Sequence, residues 1–301
     1  MSEENAAIAA RFEEVAGLLE QQNANLFRIE AYRRAARTLR RLERPVSDIL
    51  QKEGIAGLDA LPAIGPNLAR AIFILSSTGR LPMLERLRGE SDPTTLLASV
   101  PGVGPKLADR LHHDLHISSL EDLEAAAWDG RLAKVVGFGA KRVAGIRDAL
   151  ASRLARARGP APAAPREEPS VSELLDVDRE YRTRVAAGDL PMIAPRRFNP
   201  ARSAWLPILH TQRRGRQYTA LFSNTARAHA LGRTRDWVVL YADGARGEGQ
   251  WTVVTETAGE LERARVVRGR ETECLGHYRG ERPGHADEAA SATGPARPRA
   301  E

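Results

Sequence analysis

Val100-Pro101-Gly102-Val103-Gly104-Pro105-Lys106-Leu107-Ala108 is the stretch that decides how this chain folds. An apolar residue, a Pro-Gly-apolar-Gly turn and a helix start with a small residue at its fourth position form a helix-hairpin-helix signature. Gly102 and Gly104 permit a tight connection with positive φ and let another group approach the main chain closely. Pro105 suits a first helical position, and the first-turn amides of the helix it opens have no intrahelical partner. Those amides and the helix dipole attract an anion, and Lys106 adds a charge. Val100, Val103, Leu107 and Leu111 read as the apolar pins between the two helices.

A lone Gly-x-Gly is also how an ordinary capped turn is written, so repetition carries the reading. Leu61-Pro62-Ala63-Ile64-Gly65-Pro66-Asn67-Leu68-Ala69 repeats the turn with Ala63 in place of the first glycine. Val135-Val136-Gly137-Phe138-Gly139-Ala140-Lys141 repeats it with both glycines, and with Lys141 placed like Lys106. Three turns spaced roughly forty residues apart amount to a repeated architecture. The candidate contacts for a phosphate backbone are therefore Ile64, Gly65 and Asn67 in the first turn, Gly102, Val103, Gly104 and Lys106 in the second, and Gly137, Gly139 and Lys141 in the third. Arg28 and Arg33 join them from a basic helix that also carries Arg34, Arg37, Arg40, Arg41 and Arg44; a solvated face explains such a run equally well.

Helical periodicity surrounds the turns. Helices are expected over 5–20, 27–42 and 46–52, from Pro66 to Ser77 with Gly79 as a C-cap, over 81–88 and from Pro105 to His113. Ser119 and Asp122 have capping-box spacing before the third turn. Residues 159–170 are rich in proline and alanine and read as a linker, and 280–301 as a disordered tail. Between them the pattern changes. A helix over 171–186 precedes strand candidates at 205–210, 217–222, 237–241, 251–255 and 264–267, with a short helix over 224–231 between the second and third. The expected fold class is α+β multidomain: an all-α helix-hairpin-helix half over 1–158, then a small α+β sheet domain over 171–279.

Composition limits the partners. The 301 residues carry a formal charge of +6, which favours a polyanion, and arginine supplies nearly all of the cations, with lysine only at positions 52, 106, 134 and 141. Arginines exceed acids by five over Val171 to Arg279, which leaves a DNA role open for that region. Aromatic residues make up 5%, too few for base stacking to be the main binding mode. The single cysteine, Cys274, rules out a disulfide framework. With neither a signal-like segment nor a membrane-length apolar run, the expected location is cytoplasmic and nucleoid-associated.

Four motifs in order, Phe27-Arg28-Ile29-Glu30-Ala31-Tyr32-Arg33-Arg34-Ala35-Ala36, then Leu61 to Gly65, Thr78-Gly79-Arg80-Leu81 and Val100 to Pro105, resemble the amino-terminal lyase domain and fingers segment of family X DNA polymerases. The likeness covers about residues 5 to 155. It implies backbone binding by the turns around Gly65 and Gly102, the first on the strand downstream of a gap and the second on the primer strand, with a monovalent cation held by turn carbonyls. It also marks departures. The family's Schiff-base lysine falls at Ala71, neighbouring Arg70 is permanently charged and cannot replace it, and Lys52 lies before the hairpin. Asp176-Val177-Asp178 has the spelling of a polymerase metal pair but sits in a helical run, where alternate residues do not share a face, so capping and solvation account for it better.

The expected function is sequence-independent DNA binding through the hairpin turns, in DNA repair or maintenance, with duplex that is gapped or nicked as partner, no catalytic or metal residue assigned, and no cofactor beyond the monovalent cation. Two competing readings stand beside it. One is a DNA-processing enzyme, nuclease or abasic-site lyase, with its chemistry in the C-terminal domain, where His210 and His229 lack a carboxylate at metal-ligand spacing; the other is a DNA-tethered protein-interaction adaptor. Arg213, Arg214 and Arg216 at a hairpin turn form a candidate second phosphate contact.

Overall fold

The computed structural model describes residues 2–280 apart from 91–92, 116, 118–122, 124–125, 129, 156–167 and 245–246. The Ser119–Asp122 capping box, most of the linker and the tail lie outside the described residues. In chain order the helices are α1 Glu3–Gln21, α2 Leu26–Arg41, α3 Val46–Asp59, α4 Pro66–Thr78, α5 Pro82–Leu87, α6 Pro93–Ala98 and α7 Pro105–Asp114, then a 3-10 turn at Leu132–Lys134 and α8 Ala140–Ala155. α9 Val171–Ala187 leads into β1 Met192–Ile193, β2 Leu206–Arg213, β3 Arg216–Phe222, α10 Ala226–Ala230, β4 Val238–Gly244, β5 Gly247–Thr255, β6 Arg265–Val267 and α11 Glu271–Tyr278.

Local chemistry sets the boundaries. The Ser2 hydroxyl caps α1 by accepting the Asn5 amide at 3.1 Å, with Glu3 and Glu4 in the first turn, and Asn25 caps α2 by accepting the Phe27 amide. Buried Asn5 fixes the α2–α3 connection: its Nδ2 donates to the carbonyls of Leu42 and Arg44 at 3.2 and 2.9 Å, and its Oδ1 accepts the Val46 amide at 2.9 Å. α3 runs past the expected end at residue 52, broken at Gly54 with φ 66° and ψ −159°.

The sheet is an antiparallel meander in the order β1-β2-β3-β4-β5-β6. Its register, with Thr219 opposite His210 and Tyr241, and Asp243 opposite Glu248, places His210, Gln212, Thr219, Tyr241, Asp243 and Glu248 on one face. α9 covers the other face. There the Tyr181 hydroxyl donates to the Pro207 carbonyl and accepts the Phe222 amide, while Arg265 pairs with buried Asp178 at 2.6 Å.

The first face is covered by the opening helices of the chain. Arg28 of α2 bonds Thr219 at 3.3 Å and Asp243 at 3.3 to 3.4 Å, Gln22 reaches His210 at 3.0 Å, and Asn25 donates to Gln212 at 3.2 Å. Arg86 of α5, with a side chain only 2% exposed, pairs with Glu248 and lies 3.8 Å over the Tyr241 ring. Burial opposes charge on Arg86, yet Glu248 and Tyr241 outweigh it and hold its pKa above the ordinary arginine value. The buried apolar residues accordingly divide into two clusters. One combines residues 8–87 with 171–274, and the other, 97–150, belongs to the second and third hairpins alone. Sequence spacing divides the chain at the proline-rich linker, whereas packing joins its first ninety residues to the sheet.

Candidate nucleic-acid interface

All three turns close the same way. The amides of Ile64, Val103 and Phe138 donate to the carbonyls of Leu61, Val100 and Val135 at 3.1, 2.9 and 3.1 Å, and the amides of Ala69, Ala108 and Val143 donate to Gly65, Gly104 and Gly139 at 2.9, 2.9 and 3.1 Å. Ile64, Val103 and Phe138 are buried, so Ile64 and Val103 act as pins and offer an outside group only their backbone. Gly65, Asn67, Gly102, Gly104, Lys106, Gly137, Gly139 and Lys141 are all exposed.

The two glycines of a turn answer to different demands. The first has positive φ, 86° at Gly102 and 103° at Gly137, which L-residues rarely adopt. Ala63 takes that position in the first turn and still adopts φ 62°. The second glycine is under no such requirement. Gly65 and Gly104 have ordinary extended backbone, with φ −95° and −76°, and a Cβ on Gly65, Gly104 or Gly139 would meet nothing within 4 Å. Gly65 and Gly104 are the N-caps of α4 and α7, neither with a side-chain cap, so these helices open on outward amides behind a proline at the first position.

The second and third turns face each other as a pair. A Cβ on Gly102 would contact Arg142 and Ile146 of α8 at 3.8 Å, and one on Gly137 would meet Leu107 of α7 at 2.9 Å. Each turn therefore packs on the helix that follows the other. Arg110 donates to the Val136 carbonyl at 2.7 Å and Arg142 to the Gly137 carbonyl, which ties the third turn down from both helices. An open cleft of about 750 Å³ lies between them, lined by Pro101, Gly102, Gly139, Lys141, Arg142 and Gly145. It brings the exposed glycine of each turn and the cation Lys141 to one surface.

The basic helix is different. Arg28 is buried against the sheet, and Arg33 bonds Glu20 at 2.7 Å and Glu30 at 3.1 Å. Arg37, Arg40 and Arg44 are paired with Glu30, Glu13 and Glu53. Neither Arg28 nor Arg33 is a free surface cation, because α1 and the sheet present carboxylates that a helix-by-helix reading cannot see. Arg213 and Arg216 are drawn away likewise, to Asp176 and Glu180 at 2.7 and 2.6 Å and to Glu173 at 2.8 Å, which leaves Arg214 at the β2–β3 turn exposed. Asp176 and Asp178 are thus sheet anchors, and Asp178, bonded to Arg265, is buried where solvation was expected.

Ala71 helps to line a cleft of about 570 Å³ between the first hairpin and the sheet, with Phe27, Tyr32, Asn67, Asp243 and Glu248 around it. Its lining contains no lysine. His210 bonds Gln22 and Thr219, and burial with Arg28 and Arg86 nearby lowers its pKa to about 3. His229 stands in another setting, bonded to Asn224 at 2.6 Å and stacked on Phe198. Among the described residues no helix is long and apolar enough to cross a membrane.

Comparison with known proteins agrees with this geometry. A helix-hairpin-helix domain family matches residues 3–81, and a SAM-like helix-hairpin-helix tandem family matches residues 94–152, the paired turns just described. The DNA polymerase/3'-5' exonuclease PolX of Bacillus subtilis (strain 168) is 27% identical over 139 residues, 46% of this chain and 23% of that protein. The match thus spans about a quarter of the relative's length. The N-terminal half of the chain carries successive helix-hairpin-helix domains and resembles the lyase and fingers region of family X DNA polymerases.

Proposed function

We propose that this protein binds DNA independently of sequence, holding phosphates of gapped or nicked duplex at its hairpin turns, and that it serves DNA repair or maintenance. The observation that carries the reading is the second glycine of each turn. Nothing inside the protein requires Gly65, Gly104 or Gly139, since the space beside each is open and Gly65 and Gly104 have ordinary backbone. What a missing side chain permits there is approach from outside, to helix amides that await an acceptor. Lys106 and Lys141 sit beside two of these positions, where a charge strengthens phosphate contact without reading bases. The pairing of the second and third turns supports a two-point hold, one turn to each strand. The relative's name, a DNA polymerase, points to the same partner.

The test is binding to a panel of intact, nicked and gapped duplexes at low salt. Gly104→Val with Gly139→Val should weaken binding at least tenfold while the protein stays folded, with a loss of about 1 kcal/mol at the Gly104 N-cap, and Lys106→Glu should weaken binding further and flatten its salt dependence. Unaltered affinity in both variants would refute the proposal.

A further inference from the structure

The strongest unassigned surface lies at the end of the sheet where the β1–β2 loop meets the segment between β3 and β4. From residue 190 to 235 the chain has no aspartate or glutamate, and of its nine arginines six flank this end of the sheet while Arg213, Arg214 and Arg216 lie at the β2–β3 turn at the other end. Arg213 and Arg216 face α9, and Arg233 lies 3.8 Å from Asp236. Arg196, Arg202 and Arg235 are exposed and have no carboxylate partner among the described residues. An uncompensated cationic edge of this kind favours a polyanion.

An aromatic platform sits in the middle of it. Phe198 is 47% exposed and stacks on His229 with ring centroids 4.3 Å apart, and Trp205 packs edge-on against the same imidazole at 6.4 Å. The platform is braced from below. His229 bonds the Asn224 side chain, whose Nδ2 donates to the Arg197 carbonyl at 3.1 Å, and the Asn199 side chain clasps Ser203 through its backbone and hydroxyl. Burial and the Arg197 charge lower the His229 pKa from its usual value. The backbone is strained at the same place. Phe198 and Arg202 have φ of 52° and 49°, left-handed values that are unfavourable for side chains of this size. Such strain costs on the order of 1–3 kcal/mol per residue and persists where surrounding structure enforces it, commonly at ligand sites.

The platform also touches the loop after α5, which leads on toward the second hairpin. The Arg196 amide donates to the Gly89 carbonyl at 2.8 Å, and a Cβ on Gly89 would stand 2.9 Å from Pro195. Four residues after Gly89 the chain enters α6, a reach of at most about 14 Å.

We propose that this edge binds unpaired, single-stranded nucleic acid, with one base stacking on Phe198, over whose ring the Arg197 guanidinium lies at 5.3 Å, and adjacent phosphates meeting Arg196, Arg202 and Arg235. An intact duplex keeps its bases stacked on each other and offers only backbone, whereas an exposed ring with arginines around it matches a strand whose bases are free. The site is separate from the hairpin turns and does not depend on their role.

The test uses the full-length protein, a labelled oligothymidylate of about 12 nucleotides and a duplex of matching length. Phe198→Ala should weaken single-strand binding roughly 5- to 100-fold, and Arg196→Ala with Arg202→Ala should weaken it and reduce its salt dependence. Both should leave duplex affinity unchanged, and Phe198→Trp should retain binding and show fluorescence quenching when the strand is added. Gly104→Val with Gly139→Val should give the opposite pattern, so failure of the hairpin proposal is read separately from failure of this one. Single-strand affinity that ignores both the Phe198 and the arginine variants overturns the proposal. So does equal loss on duplex, or capture of anionic vesicles or an acidic peptide in preference to the oligonucleotide.

Discussion

Leu107 Cδ2 stands 2.9 Å from the point that a Cβ on Gly137 would occupy, so the third turn and the helix after the second are in contact at a place with no room for a side chain. Two glycines one residue apart should therefore behave as opposites. Gly137→Ala meets both the Leu107 contact and a φ of 103°, and should destabilise the protein by about 2 kcal/mol. Gly139→Ser meets open space and should change stability by only a few tenths of a kcal/mol, while it weakens DNA binding. Denaturant unfolding and duplex titration of the two variants check the contrast.

Ala63 adopts φ 62° where the other two turns have glycine. The left-handed conformation costs an L-residue roughly 1–2 kcal/mol, and glycine gives back part of that through its freer unfolded chain. Ala63→Gly should thus raise stability, by no more than about 1 kcal/mol, with an increase in thermal midpoint as the readout. A decrease would mean that the alanine methyl makes a contact worth more than the strain.

His210 makes stability depend on pH. Burial, then Arg28 and Arg86, hold its folded pKa at about 3 against an ordinary value of 6.5. Between those values the unfolded chain binds a proton that the folded one does not. Stability contributed here is complete above about pH 6.5 and falls as pH drops, by at most about 1.4 kcal/mol per pH unit. His210→Gln, which can still bond Gln22 and Thr219, should remove that slope when urea unfolding is compared at about pH 7 and pH 5.

Buried Arg86 of α5 pairs with half-buried Glu248 of β5, whose side chain is 25% exposed. Arg86→Met leaves a carboxylate that water can still reach in part, so it should cost about 1–3 kcal/mol. Replacing Glu248 by Gln in the same molecule should recover part of the loss. Unfolding of the single and double variants measures the coupling, and purely additive effects would show that the two do not act together.

What the sequence makes legible here follows from range. The hairpin turns are visible because glycine and a buried pin within nine residues determine each one, with proline added in the first two, and the long strands because β-branched and aromatic residues alternate locally. β1, with two residues, and α11 carry too little pattern to be found. The partners of Arg28 are invisible for a different reason: Thr219 and Asp243 lie 191 and 215 positions away, and no periodicity connects them. The same holds for Arg33, whose partner Glu20 sits on the neighbouring helix, and for Asp178, whose guanidinium partner is contributed by β6. Phe198 and His229 could not be joined from sequence either, since loop and helix meet only once the sheet has formed.

The common core of residues 8–87 and 171–274 gives the chain an unusual connectivity. The polypeptide leaves that body near Gly89, builds the paired hairpins and comes back at Ser170, so the hairpin tandem is a guest inserted into a host made of both chain ends. Host and guest each have their own buried cluster. Cutting the covalent link should not by itself separate the ends: residues 1–90 and 168–280 produced as two polypeptides should find each other and assemble, with Arg28 and Arg86 of one fragment closing on Asp243 and Glu248 of the other.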